Sequence, residues 1–268
     1  MIRRFPEHII KPALLVETGK FMVKLAENHE EIERAQRLRY EVFNLEQGRG
    51  LESSDKYGID FDEFDEDCLH LLVLEKAGEK VVGTYRAHLG CIANSAKGFY
   101  SSREYHISGL YKIADKCLEL GRTCISPEFR TGVAVSLLWS AIAELLVRAE
   151  LTYMLGCVSL ENTDPAVGWA LYEYISEKHP KYTDFDVMPR PGFILKRPAG
   201  QTINKLLSSN EFLRKNIPPL LKGYLRLGGC ICGEPALDKE FGTIDFFIVV
   251  DINRVPERYQ RRFNYQRT

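Results

Sequence analysis

The stretch that decides the fold runs from residue 117 to residue 150 and reads CLELGRTCISPEFRTGVAVSLLWSAIAELLVRAE. Its first nine residues are typical of a β-strand. A turn that contains Pro127 and Gly132 follows, and residues from about 131 to 149 have the apolar periodicity of a mostly buried helix. A strand that leads through a turn into a buried helix predicts that this helix packs against a sheet.

The sequence on both sides predicts further strands and helices. Asn28 and Glu31 have the spacing of a capping box, and Asp164 followed by Pro165 is typical of a helix start. We predict strands at 20–26, 69–74, 81–89, 117–125, 153–160, 230–236 and 243–250, and helices from 28 to about 46, 131–149, 164–178 and after 218. This order indicates one α/β domain over 1–268, with a mixed sheet flanked by helices, an irregular segment at 1–18, a helical insert at 180–229 and a basic tail at 251–268.

Composition excludes several function classes. The net charge is −1, so no overall basic field favours nucleic acid. No apolar window approaches the ~18 residues of a membrane span, and the start, MIRRFP, lacks the apolar core of a signal peptide. Seven cysteines without a Cys-x-x-Cys pair indicate reduced thiols in a cytoplasmic protein and no metal site. A catalytic cysteine is disfavoured because no histidine has an obvious partner position.

Several charged residues stand where charge is unusual. Arg39 shares the apolar face of the first long helix, either as a salt-bridged side chain or as a charge directed into a site. The acidic run at 60–67 is either a solvated surface or a loop held to the domain by its two phenylalanines. Arg86 shares one strand face with His88.

Seven separated motifs together resemble the ornithine N-acyltransferases of the GNAT fold, over about residues 20–250. They are LRYEVF (38–43), DEFDEDCLHLLV (62–73), VVGTYRAHL (81–89), ELGRTCISPEFR (119–130), VSLLW (135–139), PPLLKGYLRLGG (218–229) and ALDKEFGTIDFFIV (236–249). This resemblance implies transfer of a fatty 3-hydroxyacyl group from acyl carrier protein to the α-amine of an amino acid, with ornithine giving lyso-ornithine lipid. Members of the group are often labelled hemolysins, although no pore-forming segment or signal peptide supports a toxin.

A weaker resemblance extends to the LuxI-type acyl-homoserine lactone synthases. The matching positions are Arg39, Phe43, Asp62, Asp65, Arg86, Glu119 and Arg122. The resemblance implies that the first five bind the acceptor, whose carboxylate an arginine would clamp and whose ammonium an aspartate would receive. Glu119 is expected to be the general base or an orienting carboxylate, with a buried ion pair to Arg39 or Arg86 as the alternative, and Arg122 is expected to be a second catalytic residue. Tyr172 matches the position of a helical general acid in many GNAT enzymes, with core packing as the alternative.

The spacing of Glu119 and Arg122 raises a geometric difficulty. Residues three apart on a regular strand face opposite sides of the sheet. Gly121 lies between them, and a β-bulge at this point would bring both side chains to one side. Without a bulge, Arg122 is expected to be structural.

The turn before the long helix is the expected site for the donor's phosphate. Ordinary GNAT enzymes carry Arg-x-x-Gly-x-Gly/Ala here, with backbone N–H groups directed at the coenzyme A pyrophosphate. In this chain the glycine comes one residue early and a valine stands where a close backbone approach favours glycine. The residues are Arg130, Thr131, Gly132, Val133 and Ala134. The departure favours a single phosphopantetheine phosphate, and therefore acyl carrier protein over acyl-CoA; no cofactor is expected to stay bound.

The acidic carrier protein would need exposed cations on this chain. The candidates are Arg214, Lys215, Lys222, Arg226, Arg258, Arg261 and Arg262. The same basic tail, with Phe263 and Tyr265, suggests peripheral contact with an anionic membrane. Two alternative activities stay open at this point, an acyl-CoA-dependent GNAT acetyltransferase and an acyl-homoserine lactone synthase.

Overall fold

The computed structural model describes residues 5–179 and 185–260. The strands in these ranges are β1 (Leu14–Glu17), β2 (Phe21–Leu25), β3 (Leu69–Glu75), β4 (Lys80–Leu89), β5 (Tyr105–Ser108), β6 (Cys117–Ile125), β7 (Tyr153–Leu160), β8 (Asp186–Pro189), β9 (Cys230–Ile231), β10 (Ala236–Asp238) and β11 (Thr243–Asp251). The α-helices are α1 (Glu7–Ile10), α2 (His29–Tyr40), α3 (Gly90–Ser95), α4 (Val133–Arg148), α5 (Pro165–Lys178), α6 (Gly200–Leu207), α7 (Asn210–Asn216), α8 (Pro219–Arg226) and α9 (Glu257–Gln260).

The chain divides into two compact units. Of the described residues, the first unit comprises 5–97, 115–152 and 257–260, and the second comprises 98–114, 153–179 and 185–256. In the first unit the strands follow the order β1, β2, β3, β4, β6, and each is antiparallel to its neighbour. Because β3 and β4 are buried on both faces, helices must cover both sides of this sheet.

Helix α2 covers one face of the first sheet and α4 packs against the same strands from the other face. The α2 side buries an apolar cluster formed by Ala35, Leu38, Val42, Leu72, Leu74, Val81 and Cys124. Asn28 begins α2 by accepting a hydrogen bond from the Glu31 N–H, as the capping pattern predicts. The chain then continues from α2 as a π-helical segment, Glu41–Glu46. This geometry is rare and occurs most often near functional sites.

The second unit is built on β11, which pairs with β7, β9 and β10 in antiparallel fashion. A separate two-stranded ribbon is formed by β5 and β8. Helix α5 begins with the Asp164 side chain accepting from the Ala166 N–H and with Pro165 in the first turn. Trp169 of α5 is buried and donates its indole N–H to the Leu195 carbonyl oxygen.

Most sequence-based assignments agree with these elements, and the α/β fold class is confirmed. Three differ. The segment at 1–18, predicted as irregular, contains α1 and β1, because Leu14–Glu17 finds a partner in β2. The strand predicted at 230–236 is two short strands, β9 and β10, with Gly233 at φ +78° between them. The helical insert at 180–229 also contains β8. The single domain over 1–268 stays a prediction.

Among the described residues, no helix combines the length and the apolar character that a membrane span requires. The tail residues Arg261, Arg262, Phe263 and Tyr265 and the start of the chain at 1–4 lie outside the described residues. The membrane contact predicted for this tail therefore stays a prediction.

Candidate active site

Arg39 is fully buried and lies where α2 crosses the first sheet. Its Nη1 and Nη2 donate to the two carboxylate oxygens of Asp65 at 3.1 and 2.6 Å. Nη2 also donates to the Asp60 carbonyl oxygen at 2.5 Å, and Nε lies 2.8 Å from Asp60 Oδ1. Arg39 is therefore a buried, multiply bonded cation, which is the salt-bridged alternative for this residue.

The acidic run folds back over the α2 face of the sheet instead of standing in solvent. Asp60, Asp65 and Asp67 are buried, whereas Glu63 and Glu66 are exposed. The Asp62 side chain caps the loop by accepting from the Phe64 N–H at 2.9 Å. Buried aspartates of the run therefore bind arginine side chains, and only its exposed glutamates form a solvated surface.

Two further arginines converge on the same aspartates. Arg86 Nη1 donates to Asp62 Oδ1 at 2.6 Å and to Asp65 Oδ1 at 3.0 Å. Arg122 Nη2 donates to Asp62 Oδ2 at 3.1 Å, and its Nε lies 3.6 Å from Asp60 Oδ1. We call Arg39, Arg86, Arg122, Asp60, Asp62 and Asp65 the arginine–aspartate network. Three positive and three negative side chains balance, and their mutual attraction offsets part of the cost of removing these charges from water.

The network shifts the titration of its members. Burial alone would raise the pKa of Asp65, but the Arg39 and Arg86 guanidinium groups lower it well below its usual range. Burial acts in the same direction on Asp62, and Arg86 and Arg122 reverse it, so that its pKa is also lowered. Both carboxylates are therefore charged at neutral pH.

A β-bulge in β6 places Arg122 in this network. Thr84 pairs with Cys124 and Arg86 pairs with Gly121, so β6 has one residue more than β4 between these two pairs. Arg122 itself has φ +50°, the left-handed conformation that most residues avoid. The predicted bulge is present, and the residue that takes the strained conformation is Arg122, not Gly121.

Glu119 lies on the same face of the sheet as Arg86, directly opposite His88. Both side chains are buried, and Glu119 Oε2 is 3.7 Å from His88 Nδ1. The His88 ring in turn contacts the edge of the Phe64 ring at a centroid distance of 6.3 Å. The bulge thus brings Glu119 and Arg122 to one side of the sheet, together with an imidazole that the motifs did not assign.

Aromatic residues of the motifs complete this face. Phe43, in the π-helical segment, packs against the apolar cluster under α2. Phe64 is buried beneath the Arg86 guanidinium, whose carbon is 6.0 Å from the ring centroid. Phe64 therefore pins the acidic loop to the sheet, whereas Phe61 is exposed.

Sequence reasoning missed two polar residues of the site. Asp60 is fully buried and contributes both its carbonyl and its carboxylate to Arg39. His70 is buried with Nε2 3.0 Å from the Asp65 carbonyl oxygen, and burial lowers its pKa to about 4. Since a carbonyl only accepts, Nε2 carries the hydrogen. Strand alternation could have found His70, because it pairs with Arg86 across β3 and β4.

The predicted phosphate-binding turn lies at the start of α4. Gly132 has φ +85° and precedes the helix, and Val133 is 48% exposed. Arg130 is committed elsewhere: its two terminal nitrogens donate to Glu46 Oε1 and Oε2, each at 2.6 Å, and its Nε donates to the Ile125 carbonyl at 3.0 Å. The guanidinium of Arg130 therefore already has a carboxylate partner.

The remaining predicted residues belong to the second unit or to the chain's surface. Tyr172 lies on α5, its ring contacts Trp169 edge-on, and burial raises its pKa. Tyr172 belongs to the second unit, and its role as a general acid stays a prediction. Arg214, Lys215, Arg226 and Arg258 are exposed, and Lys222 is half-buried.

Comparison with known proteins relates the chain to acyltransferases. An acetyltransferase (GNAT) domain family matches residues 38–140. An L-ornithine N(alpha)-acyltransferase of Brucella abortus (strain 2308) is 35% identical over 255 residues, which span 92% of this chain and 89% of the relative. A protein of the same name from Agrobacterium fabrum (strain C58 / ATCC 33970) is 32% identical, over 90% of this chain and 84% of the relative.

Among solved structures, the AHL synthase LasI superposes with a TM-score of 0.51 at 11% identity, covering 93% of this chain and 100% of that one. This similarity shows the fold, and the predicted GNAT-like architecture is confirmed. The matches to the Brucella and Agrobacterium proteins extend over nearly the whole chain and include both units. The chain belongs to the family of the L-ornithine N(alpha)-acyltransferases.

Proposed function

We propose that the chain transfers a fatty 3-hydroxyacyl group from a thioester to the α-amine of ornithine, with lyso-ornithine lipid as the product. The names of its relatives support ornithine as the acceptor. The structural observation that carries the proposal is the convergence of Glu119, His88 and the arginine–aspartate network on one sheet face next to the bulge of β6.

Amide formation requires the α-amine to lose a proton before or during its attack on the thioester carbonyl. Glu119 is the proposed base or orienting carboxylate, and His88 opposite it is a second group able to accept or relay this proton. The bulge interrupts regular strand pairing between β4 and β6, and we assign stabilisation of the oxyanion to a backbone N–H at this bulge.

The members of the arginine–aspartate network have different proposed roles in binding ornithine. Arg39 is fully buried and bonded to Asp60 and Asp65, which supports a role in positioning Asp65 and not in contacting the acceptor. Asp62 and Arg122 retain slight exposure and lie at the bulge, so we assign them to the ammonium and the carboxylate of ornithine. Arg86, which bonds both Asp62 and Asp65, holds the two carboxylates in register.

We further propose acyl carrier protein as the donor's carrier. The pairing of Arg130 with Glu46 leaves less positive charge at the start of α4 for the several phosphates of coenzyme A. A single phosphopantetheine phosphate needs only the N–H groups at the start of the helix. The exposed cations of α7 and α8, Arg214, Lys215 and Arg226, are the proposed contacts for the acidic carrier protein.

The experiment mixes purified protein with ornithine and either a 3-hydroxyacyl carrier protein or the matching acyl-CoA, and detects the N-acyl product by mass spectrometry. We expect product with the carrier protein, and loss of at least ~100-fold in rate for Glu119→Gln. The control is Glu66→Gln, an exposed carboxylate of the acidic loop, which should act like the wild type. Absence of N-acyl product from any amino acid would refute the activity, and product from acyl-CoA alone would refute the carrier.

A further inference from the structure

Three carboxylates that the proposed reaction does not use meet inside the second unit. Glu104 directly precedes β5, Asp238 ends β10, and Asp245 belongs to β11. Their side chains are only 2%, 5% and 4% exposed. One carboxylate oxygen from each lies within 4.8 Å of the corresponding oxygens of the other two.

The strand pairing explains why two of these residues face the same way. Ala236 pairs with Asp245 and Asp238 pairs with Thr243, so Asp238 and Asp245 share one face of the β10–β11 hairpin. Glu104 is brought to them by the neighbouring Tyr105, whose hydroxyl donates to the Asp245 carbonyl oxygen at 2.8 Å. Strand pairing therefore places Asp238 and Asp245 together, and the buried Tyr105 side chain holds Glu104 beside them.

The hydrogen bonds of the cluster leave one carboxylate oxygen without a partner, although the Asp245 carboxyl group also bonds to Ser159 and to Glu104. Asp238 Oδ1 accepts from the Glu240 and Phe241 N–H groups at 2.8 and 3.0 Å, and Asp245 Oδ1 accepts from the Thr243 hydroxyl at 3.1 Å. Oε2 of Glu104, by contrast, is buried without a hydrogen-bond partner. A buried carboxylate oxygen left without a donor is costly, and a bound cation would satisfy it.

The charge of the cluster is not balanced by basic side chains. Within the described ranges, no Lys, Arg or His nitrogen lies within 4 Å of these three carboxylates. The arginine–aspartate network of the first unit, with one arginine for each aspartate, is the opposite case.

We propose that Glu104, Asp238 and Asp245 bind a divalent cation that ties β5 to the β10–β11 hairpin. All three ligands are hard oxygens, which select Mg²⁺, Mn²⁺ or Ca²⁺ over softer metals. Ligands on opposite sides of a cation are separated by about twice the metal–oxygen distance, ~4.2 Å for Mg²⁺ and ~4.8 Å for Ca²⁺. The three oxygens lie within 4.8 Å of one another, which matches the span of a Ca²⁺ sphere, whereas Mg²⁺ would draw them slightly closer together. The site is structural, and it is independent of the proposed acyl transfer.

The test uses the full chain, stripped of metal with EDTA and desalted, with Mn²⁺ as the probe. We expect electron paramagnetic resonance to count one bound Mn²⁺ per chain, and the Tm to rise with Mn²⁺, Mg²⁺ or Ca²⁺. Glu104→Gln and Asp245→Asn should each weaken Mn²⁺ binding by at least ~10-fold. The matched control is Glu240→Gln, which removes an exposed carboxylate two residues from Asp238 and should bind Mn²⁺ like the wild type.

Wild-type protein that binds no Mn²⁺ at millimolar concentration would overturn the proposal and would indicate that the carboxyl groups share protons instead. Mn²⁺ binding that persists unchanged in both Glu104→Gln and Asp245→Asn would also overturn it. Circular dichroism of each metal-free variant verifies folding. If one variant fails to fold, the other and the wild-type titration still decide the question, and neither readout involves the acyltransferase activity.

Discussion

Asp65 is the residue on which the arginine–aspartate network depends, because it accepts hydrogen bonds from both Arg39 and Arg86. Asp65→Asn would remove the negative charge and leave two buried guanidinium groups with an excess of positive charge. Breaking such a pair costs about 3–5 kcal/mol of the free energy of unfolding. We expect a loss of this size in chemical denaturation, whereas Glu66→Gln, exposed in the same loop, should change the value by less than about 0.5 kcal/mol. An Asp65→Asn protein as stable as the wild type would contradict the network's role.

His70 predicts a pH dependence with a definite sign. Burial lowers its pKa from 6.5 to about 4, so the folded protein keeps it neutral while the unfolded chain takes up a proton. The unfolded state therefore binds more protons between pH 6.5 and 4, and the free energy of unfolding should fall by up to about 1.4 kcal/mol per pH unit as pH decreases through this window. Denaturation curves at several pH values measure the slope.

The control for this slope is a comparison of two histidine variants. His70→Gln keeps an N–H donor for the Asp65 carbonyl and should flatten the curve between pH 6.5 and 4. His106→Gln changes an exposed histidine and should leave the slope as in the wild type. Below about pH 4, both variants should still lose stability. The pKa values of Asp62 and Asp65 are lowered in the folded protein, so at this pH the unfolded chain takes up protons on these carboxylates that the folded protein does not. A slope that survives in His70→Gln would assign the pH dependence to another group.

At the scale of the element, one residue of strand β6, Arg122, has both a strained backbone conformation and a buried ion pair. Arg122 has φ +50°, which costs about 1–2 kcal/mol for a residue with a Cβ and almost nothing for glycine. Arg122→Gly and Arg122→Ala both remove the bond to Asp62, but only the glycine relieves the strain. We therefore expect Arg122→Gly to be more stable than Arg122→Ala by about 1 kcal/mol in chemical denaturation. Both variants should lose acyl transfer to the same extent; equal stability would show that residue 122 leaves the left-handed conformation once its charge is absent.

Local signals predicted the elements and the bulge well. The cap at Asn28, the Asp164–Pro165 start and the strand alternation act over a few residues and can be read directly from the sequence. The unusual distance between Glu119 and Arg122 was enough to predict the bulge. The pairing of each arginine with its aspartates was not predictable, since the hydrogen-bonded partners are 21–60 residues apart in the chain and any of several carboxylates could have been chosen. The cluster at Glu104 was missed for the same reason.

On the scale of the whole molecule, the cysteines are distributed in a way that predicts their reactivity. None of the seven forms a disulfide; Cys91 is exposed, Cys157 is half-buried and the other five are buried. Burial raises the pKa of Cys117 and of Cys232 to about 12, which makes their thiolates scarce at neutral pH. We expect one thiol per chain to react rapidly with a disulfide reagent, and Cys91→Ser to abolish this fast phase with acyl transfer intact. Rapid reaction of two or more thiols, or loss of activity in Cys91→Ser, would contradict this assignment.

The extra residue in β6 has a consequence for how this chain can change length. Glu119 and Cys124 have opposite parity in the numbering, yet both face α2, because their partners His88 and Thr84 lie on one side of β4. Deleting a single codon between them would restore uninterrupted alternation and rotate one end of the strand by half a turn. Either Cys124 would leave the apolar cluster under α2, or Glu119 would no longer lie opposite His88. The shortened protein would therefore lose core packing or catalytic activity, although Glu119 and Cys124 were both still present.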